Sequence, residues 1–172
     1  MIKRVRIIGY IFLLISVSGF AEDIPKSISF KKFLPFLPKK VADLVPVNDP
    51  DGKTTTMGKI SVTEVTQEYV NPKNKEQSVT IHIRYNSMLH AANIGMMFPQ
   101  FEEETTTGYK KMTQIGDYKA MIEYDNKNSF ARINVVVGAL VVELDGSPLT
   151  DEKILLETVK NMDLETLKTL TQ

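Results

Sequence analysis

Metal chemistry is the first possibility that the side chains of this sequence raise, through its histidines and methionines. His90 lies near Met88, Met96 and Met97, and copper accepts imidazole and thioether ligands. The stretch is predicted to be helical, and His90 then stands about 200° around the helix axis from Met88. One helical face therefore cannot gather all four side chains, and methionines that fill a core are the alternative interpretation. The four residues define the hypothesis of a copper or hydrophobic-ligand carrier.

A run of three glutamates is the second candidate for chemistry. Glu102, Glu103 and Glu104 follow Phe101 in a polar stretch, which we interpret as a loop over residues 99–108. Adjacent carboxylates on a loop lack the fixed separation that paired acid–base catalysis needs. The sequence also has no Asp-x-Asp-x-Asp calcium loop. We expect this run, together with Phe101, to be solvated or to form a surface for a partner or ligand.

A hydrolase would need His82 or His90 to bond both a hydroxyl and a carboxylate in a cleft. The strand register predicted below puts Thr66 opposite His82, which we interpret as a polar pair across a sheet. The sequence contains neither a Gly-x-Ser-x-Gly motif nor a cysteine. We therefore expect a protein that is not an enzyme, with a hydrolase as a minor alternative.

Arginines are the side chains best suited to bind an anionic ligand, and only Arg84 and Arg132 follow the first 21 residues. The predicted registers place Glu64 opposite Arg84 and Asp145 opposite Arg132. Opposite charges at facing positions of an antiparallel sheet attract each other. Both arginines are therefore predicted to form structural ion pairs.

The first 21 residues are typical of a secretory signal. Lys3, Arg4 and Arg6 precede an apolar run over residues 7–17, and small residues lead to Ala21. A membrane span usually needs about 20 apolar residues, so a cleaved leader is the better interpretation. We expect cleavage after Ala21 and a periplasmic or secreted protein.

Charge and cysteine content narrow the classes of function. Three of the 21 basic residues lie in the leader, which leaves 18 basic against 21 acidic residues and a formal charge of −3. A mildly acidic chain is poorly suited to bind nucleic acid. The absence of cysteine excludes disulfides, thiol chemistry and thiolate metal sites. We expect no cofactor, and a fold that apolar burial alone stabilises.

Residues 22–57 are predicted to form a helical or irregular segment that packs on the main domain. Phe30, Phe33 and Phe36 recur among lysines, and such a segment could lie on an anionic membrane surface. Prolines interrupt any long helix here. We favour one or two short helical turns whose phenylalanines pack against a sheet.

Residues 58–172 are predicted to form a single domain, because apolar and polar residues alternate between turn signals. Pairing Val65 with Ile83 and Tyr69 with Val79 keeps the apolar face of the first hairpin together. A polar connection over residues 53–57 precedes that hairpin. The predicted elements are strands over 60–70 and 78–86, a helix over 87–98, a four-strand meander over 109–115, 118–125, 130–137 and 140–145, a helix capped by Thr150, and a last turn capped by Asp163.

The stretch from Gly116-Asp117-Tyr118-Lys119-Ala120 through residues 133–137 to Thr150-Asp151-Glu152 resembles the Mog1/PsbP-like class of small α+β domains. The hairpin over residues 116–125 is also similar to that of uncharacterised exported bacterial proteins. Members of that fold class are mostly accessory or partner-binding proteins, so the resemblance implies a protein that is not an enzyme.

These observations predict an α+β fold, in which an antiparallel sheet made of an N-terminal hairpin and a four-strand meander packs against helices. The function that they favour is binding of an envelope protein or a small ligand, through the sheet or through residues 99–108.

Overall fold

The computed structural model describes residues 27–88 and 101–172, and a single antiparallel sheet dominates them. Its nine strands are β1 (Val45–Pro46), β2 (Asp51–Met57), β3 (Ile60–Val70), β4 (Ser78–Asn86), β5 (Glu102–Thr105), β6 (Gly108–Ile115), β7 (Tyr118–Asp125), β8 (Phe130–Val137) and β9 (Leu140–Ser147). The strand order is β1-β3-β4-β9-β8-β7-β6-β5. Strand β2 lies outside this series and, like β1, pairs with β3.

Helices in the described residues are short. Two 3-10 turns span Phe30–Lys32 and Leu34–Phe36, and two α-helices span Lys153–Lys160 (α1) and Leu164–Thr169 (α2). The expectation of an α+β fold is therefore wrong, because one nine-stranded sheet forms most of the described structure and the helices only cover part of it.

The edges of the sheet explain this error. Residues 53–57, predicted to be a polar connection, belong to β2, and the predicted loop over residues 99–108 contains β5. Edge strands are often polar, because exposed charges discourage pairing with other chains. Neither segment shows the alternation of apolar and polar residues that identifies a half-buried strand.

The predicted registers of the central strands are confirmed. Val65 pairs with Ile83, and Tyr69 pairs with Val79, in the hairpin of β3 and β4. The four-strand meander is also present as β6 to β9. Gly116 turns β6 into β7 with a φ of +58°, a conformation that glycine adopts without steric cost.

One pairing was absent from the sequence-based prediction. Strand β4 lies directly beside β9, so the first hairpin and the meander form a continuous sheet. These two strands are more than 50 residues apart in the chain, and local patterns carry no information about such a contact. This pairing positions the polar residues described below.

One face of the sheet, which we call the inner face, packs against α1, α2 and residues 28–44. Leu155 and Leu167 from the helices and Phe33 from the N-terminal segment are fully buried there. Burying apolar surface stabilises the fold by roughly 25 cal/mol per Å². The expectation that the phenylalanines of this segment pack inward is confirmed, because Phe33 is fully buried and the half-buried Phe30 and Phe36 pack against the core.

Hydrogen bonds fix the N-terminal segment on the sheet. The hydroxyl of Tyr69 donates to the carbonyl of Pro38 over 2.7 Å, and the hydroxyl of Thr63 donates to the carbonyl of Ile28 over 2.6 Å. The ring of Phe30 lies against Gly52, where a Cβ atom would sit 2.3 Å from the ring. The prediction of one or two short helical turns is confirmed, since two are present, and residues 28–44 form a layer on the sheet.

Of the two predicted N-terminal helix caps, one is confirmed and the other is wrong. Asp163 caps α2 as expected, since its carboxylate accepts a hydrogen bond of 3.0 Å from the amide of Thr166. Thr150 does not cap α1, which begins at Lys153; the carboxylate of Asp151 accepts from the Lys153 amide instead. Among the described residues, no helix has the length and apolar character that a membrane crossing requires.

Candidate functional site

The second face of the sheet, which we call the outer face, carries a group of charged and polar residues. Side chains alternate between the two faces along each strand, so the residues between the buried ones point outward. On β4 and β9 these outward residues include His82, Arg84, Glu143 and Asp145. The pairing of β4 with β9 places His82 directly opposite Glu143.

Arg132 and Asp145 form the most regular ion pair of the outer face. The guanidinium donates two hydrogen bonds to the carboxylate, of 2.6 Å through Nε and 3.0 Å through Nη2. These bonds raise the pKa of Arg132 above its ordinary value, although burial opposes the charge. The ion pair predicted from the sequence is present.

Arg84 joins two carboxylates from neighbouring strands. Its Nε donates to Glu64 over 2.7 Å, as predicted, and its Nη1 donates to Glu143 over 3.1 Å. Burial opposes the charge of Arg84, but the two carboxylates outweigh that effect and raise its pKa. Arg84 thus connects Glu64 and Glu143 in one network, and the Arg132–Asp145 pair lies beside it on the same face.

His82 is bonded as the sequence predicted, to Thr66. The Nδ1 atom lies 2.9 Å from the hydroxyl oxygen of Thr66 and 3.6 Å from a carboxylate oxygen of Glu64. In a catalytic triad the hydroxyl and the carboxylate bond opposite ring nitrogens, so that the imidazole can accept the hydroxyl proton while the carboxylate orients the ring. Here Thr66 and Glu64 both lie at Nδ1 of His82, so these two groups do not complete a triad.

A potential ligand set for a metal ion also lies on the outer face. One ligand atom each from His82, Glu143 and Asp145 lies within 4.8 Å of the others. Their side chains are only 19%, 15% and 22% exposed. The registers predicted from the sequence pair His82 with Thr66 and Asp145 with Arg132 and do not include Glu143, because they lack the pairing of β4 with β9.

The methionine and histidine cluster proposed from the sequence is mostly outside the described residues. His90, Met96 and Met97 lie in the undescribed stretch 89–100, as does most of the helix predicted over residues 87–98. Met88 is described, and it is 55% exposed. The copper or hydrophobic-ligand hypothesis for these residues stays a prediction.

The acidic run proposed as a partner or ligand surface lies on the edge strand β5. Glu102, Glu103 and Glu104 are all exposed, and Glu103 pairs with Lys110 on β6. Phe101 extends the strand, since its carbonyl accepts a 2.8 Å hydrogen bond from the amide of Met112. The structure thus places these residues at a sheet edge and far along the sheet from His82, with β6, β7, β8 and β9 between them.

A groove of about 660 Å³ opens on the helical side of the molecule, between residues 35–42 and helix α1. Phe36, Leu37, Ile154 and Met162 supply its apolar surface. Its polar residues include Lys40, Glu157, Asn161, Asp163 and Thr166. Sequence patterns could not reveal this groove, because its two walls come from opposite ends of the chain.

The walls of the groove are held in place by contacts outside it. Phe33 anchors one wall in the core, and the hydrogen bond from Tyr69 to Pro38 secures the same wall to the sheet. In the other wall, Leu155 and Val159 anchor α1 in the core, where both are fully buried. The groove is therefore a formed feature of the fold.

Comparison with known proteins gave no match to a family model, to a curated protein or to a solved structure. The resemblance to the Mog1/PsbP-like class therefore stays a prediction.

Proposed function

We propose that this chain is an exported, non-enzymatic binding domain that holds a small amphipathic ligand in the groove between residues 35–42 and α1. The groove itself is the observation that carries the proposal. Ligand sites are concave, mostly apolar and about 300–1,000 Å³ in volume, with a few polar groups that orient the ligand. A groove of about 660 Å³ with apolar walls and polar residues at its margin fits that description.

The charges that line the groove favour one class of ligand. Glu157 and Asp163 contribute two negative charges, and Lys40 contributes one positive charge. Opposite charges attract, so a ligand with an apolar body and a cationic head group is complementary to this margin. An anionic head group would meet an excess of like charge.

Preformed walls support binding without a large cost in ordering. Binding that has to order loops and side chains loses affinity, roughly 0.5–1.5 kcal/mol for each side chain that becomes fixed. The Tyr69–Pro38 hydrogen bond and the buried side chains of Leu155 and Val159 already hold the two walls. A small ligand can therefore enter the groove with little rearrangement.

The test uses N-phenyl-1-naphthylamine, a neutral dye whose fluorescence rises in apolar surroundings. We expect the purified protein to enhance its emission, and decyltrimethylammonium to displace the dye at lower concentration than decyl sulfate. Thr166→Trp should block the groove and reduce dye affinity at least tenfold. Thr169→Trp is the matched control, because Thr169 is also exposed on α2 but does not line the groove.

Equal dye binding by the Thr166→Trp and Thr169→Trp variants would show that the dye binds elsewhere and would contradict the proposal. Preference for decyl sulfate would contradict the assignment of a cationic head group while leaving the groove as the site.

Export is tested separately, by mass spectrometry of the protein made from the full sequence in a secreting host. Cleavage after Ala21 predicts a mature chain that begins at Glu22. A chain that retains Met1 and the apolar run would contradict export by a cleaved signal.

A partner protein is the second candidate, and the exposed acidic edge β5 favours it. Main-chain groups of an edge strand can pair with an added strand, and three glutamates favour a lysine-rich segment. Fluorescence anisotropy with a labelled oligolysine peptide tests this idea. Binding should be lost when Glu102, Glu103 and Glu104 are changed together to Gln, and binding that persists would exclude this surface.

A further inference from the structure

We propose that the outer face carries a site for a divalent transition-metal ion such as Zn²⁺, with His82, Glu143 and Asp145 as its protein ligands. This site is independent of the groove, because it lies on the opposite face of the sheet. It also differs from the methionine cluster considered above, since it uses one imidazole and two carboxylates from the central strands β4 and β9.

The geometry of the three residues suits a metal ion of this size. Ligand atoms about 2.1 Å from a tetrahedral Zn²⁺ lie roughly 3.4 Å apart. The ligand atoms here lie within 4.8 Å of one another, so each pair would have to approach by no more than about 1.4 Å. In this proposal, rotation of the three side chains supplies the shift, and the strands keep their positions.

The environment of the imidazole is the second observation that supports the site. Histidines that bind metals generally hold their other ring nitrogen in a hydrogen bond, which fixes the tautomer and the ring orientation. The Nδ1 atom of His82 is held by Thr66 at 2.9 Å, with Glu64 at 3.6 Å on the same side. Because Thr66 occupies Nδ1, the proposed ligand atom is Nε2.

The local charge is compatible with a cation. Glu64, Glu143 and Asp145 carry three negative charges against the two positive charges of Arg84 and Arg132. Each carboxylate has about four lone-pair positions, so Glu143 and Asp145 can keep their arginine partners while they bind a metal ion. The arginines reduce the affinity, but they also hold the carboxylates in place before the ion arrives.

The ligand types identify the preferred metal. One nitrogen and two oxygens suit Zn²⁺ and related transition-metal ions. Calcium prefers six to eight oxygen ligands, so it should not compete. With three protein ligands, a fourth position remains for water or for a group from a bound molecule.

The experiment is calorimetric titration of the purified protein with ZnCl₂, supported by the visible absorption of Co²⁺ as a spectroscopic substitute. We expect one equivalent of Zn²⁺ to bind and excess Ca²⁺ to have no effect. His82→Gln and Glu143→Gln should each weaken binding at least tenfold, and Thr66→Val should weaken it about tenfold by releasing the imidazole.

His90→Gln is the matched control, because it removes the other histidine of the chain and should leave Zn²⁺ affinity unchanged. Dye binding in the groove should be the same in the His82→Gln variant as in the original protein. No binding at a Zn²⁺ concentration of about 1 mM, which corresponds to a binding free energy weaker than about 4 kcal/mol, would overturn the proposal. So would binding that survives His82→Gln or Glu143→Gln, or that disappears in His90→Gln.

Discussion

The two faces of the sheet are held together in different ways. The inner face is a largely apolar layer, in which residues such as Val135 and Val142 pair across strands and are fully buried under other elements. The outer face depends on ion pairs and hydrogen bonds between strands, such as those of Arg132 and His82. This contrast indicates that the inner face supplies most of the stability and the outer face offers polar groups for binding.

The largest expected effect is a difference in the free energy of unfolding between variants of two neighbouring valines of β8. Val135 is fully buried on the inner face, whereas Val136 is only partly buried on the outer face. Val135→Ala removes two methyl groups and leaves a cavity, so we expect a loss of about 2–3 kcal/mol in the free energy of unfolding. Val136→Ala is the matched control and should cost less than about 1 kcal/mol. Urea denaturation measures both values, and equal losses would contradict the division between the two faces.

The next effect is a loss of stability at alkaline pH, and it depends on Tyr69 of the inner face. Burial raises the pKa of Tyr69 to about 12, while its value in the unfolded chain is about 10. Since the unfolded chain loses this proton first, stability is full below pH 10 and falls as the pH rises from 10 to 12.

In the Tyr69→Phe variant, the free energy of unfolding should therefore fall less steeply with pH between pH 10 and 12. At pH 7 the same change removes the hydrogen bond to Pro38 and should cost about 1 kcal/mol. Denaturation curves at pH 7 and between pH 10 and 12 test both statements. A pH dependence that is unchanged in Tyr69→Phe would mean that this hydroxyl does not contribute.

A smaller effect compares two ion pairs. The Arg132–Asp145 pair is bidentate and half-buried, so a double-mutant cycle to Leu should give a coupling of about 1 kcal/mol. The Lys153–Asp151 pair, 3.4 Å apart and more exposed, should give less than about 0.5 kcal/mol. A coupling for Arg132–Asp145 as small as that of Lys153–Asp151 would mean that the outer-face network contributes no measurable stability.

The sequence was most informative where one face of a strand is buried. The pairs Val65–Ile83 and Tyr69–Val79 could be predicted because a register shift by one residue would turn apolar side chains outward. The predicted position of Asp145 opposite Arg132 is confirmed in the register of β8 and β9. The predicted cap by Thr150 is wrong because the helix begins only at Lys153. The carboxylate of Asp151 accepts the hydrogen bond from the Lys153 amide instead.

The missed features depend on contacts between distant parts of the chain or on polar edges. The edge strands β2 and β5 lack an apolar pattern, so the sequence predicts too few strands. Bringing His82 next to Glu143 requires the pairing of β4 with β9. The groove requires residues 35–42 to lie against Ile154 and Met162, which local patterns do not encode.

Mapping of amide chemical shifts by NMR tests the central claim most directly, because one sample reports on both faces. We predict that Zn²⁺ shifts the amide signals of His82, Glu143 and Asp145 on the central strands. N-phenyl-1-naphthylamine should instead shift those of residues 36–42 and 154–166, and each ligand should leave the other set unchanged. Overlapping sets of shifted signals, or shifts confined to neither region, would contradict a protein that uses its two faces for separate binding.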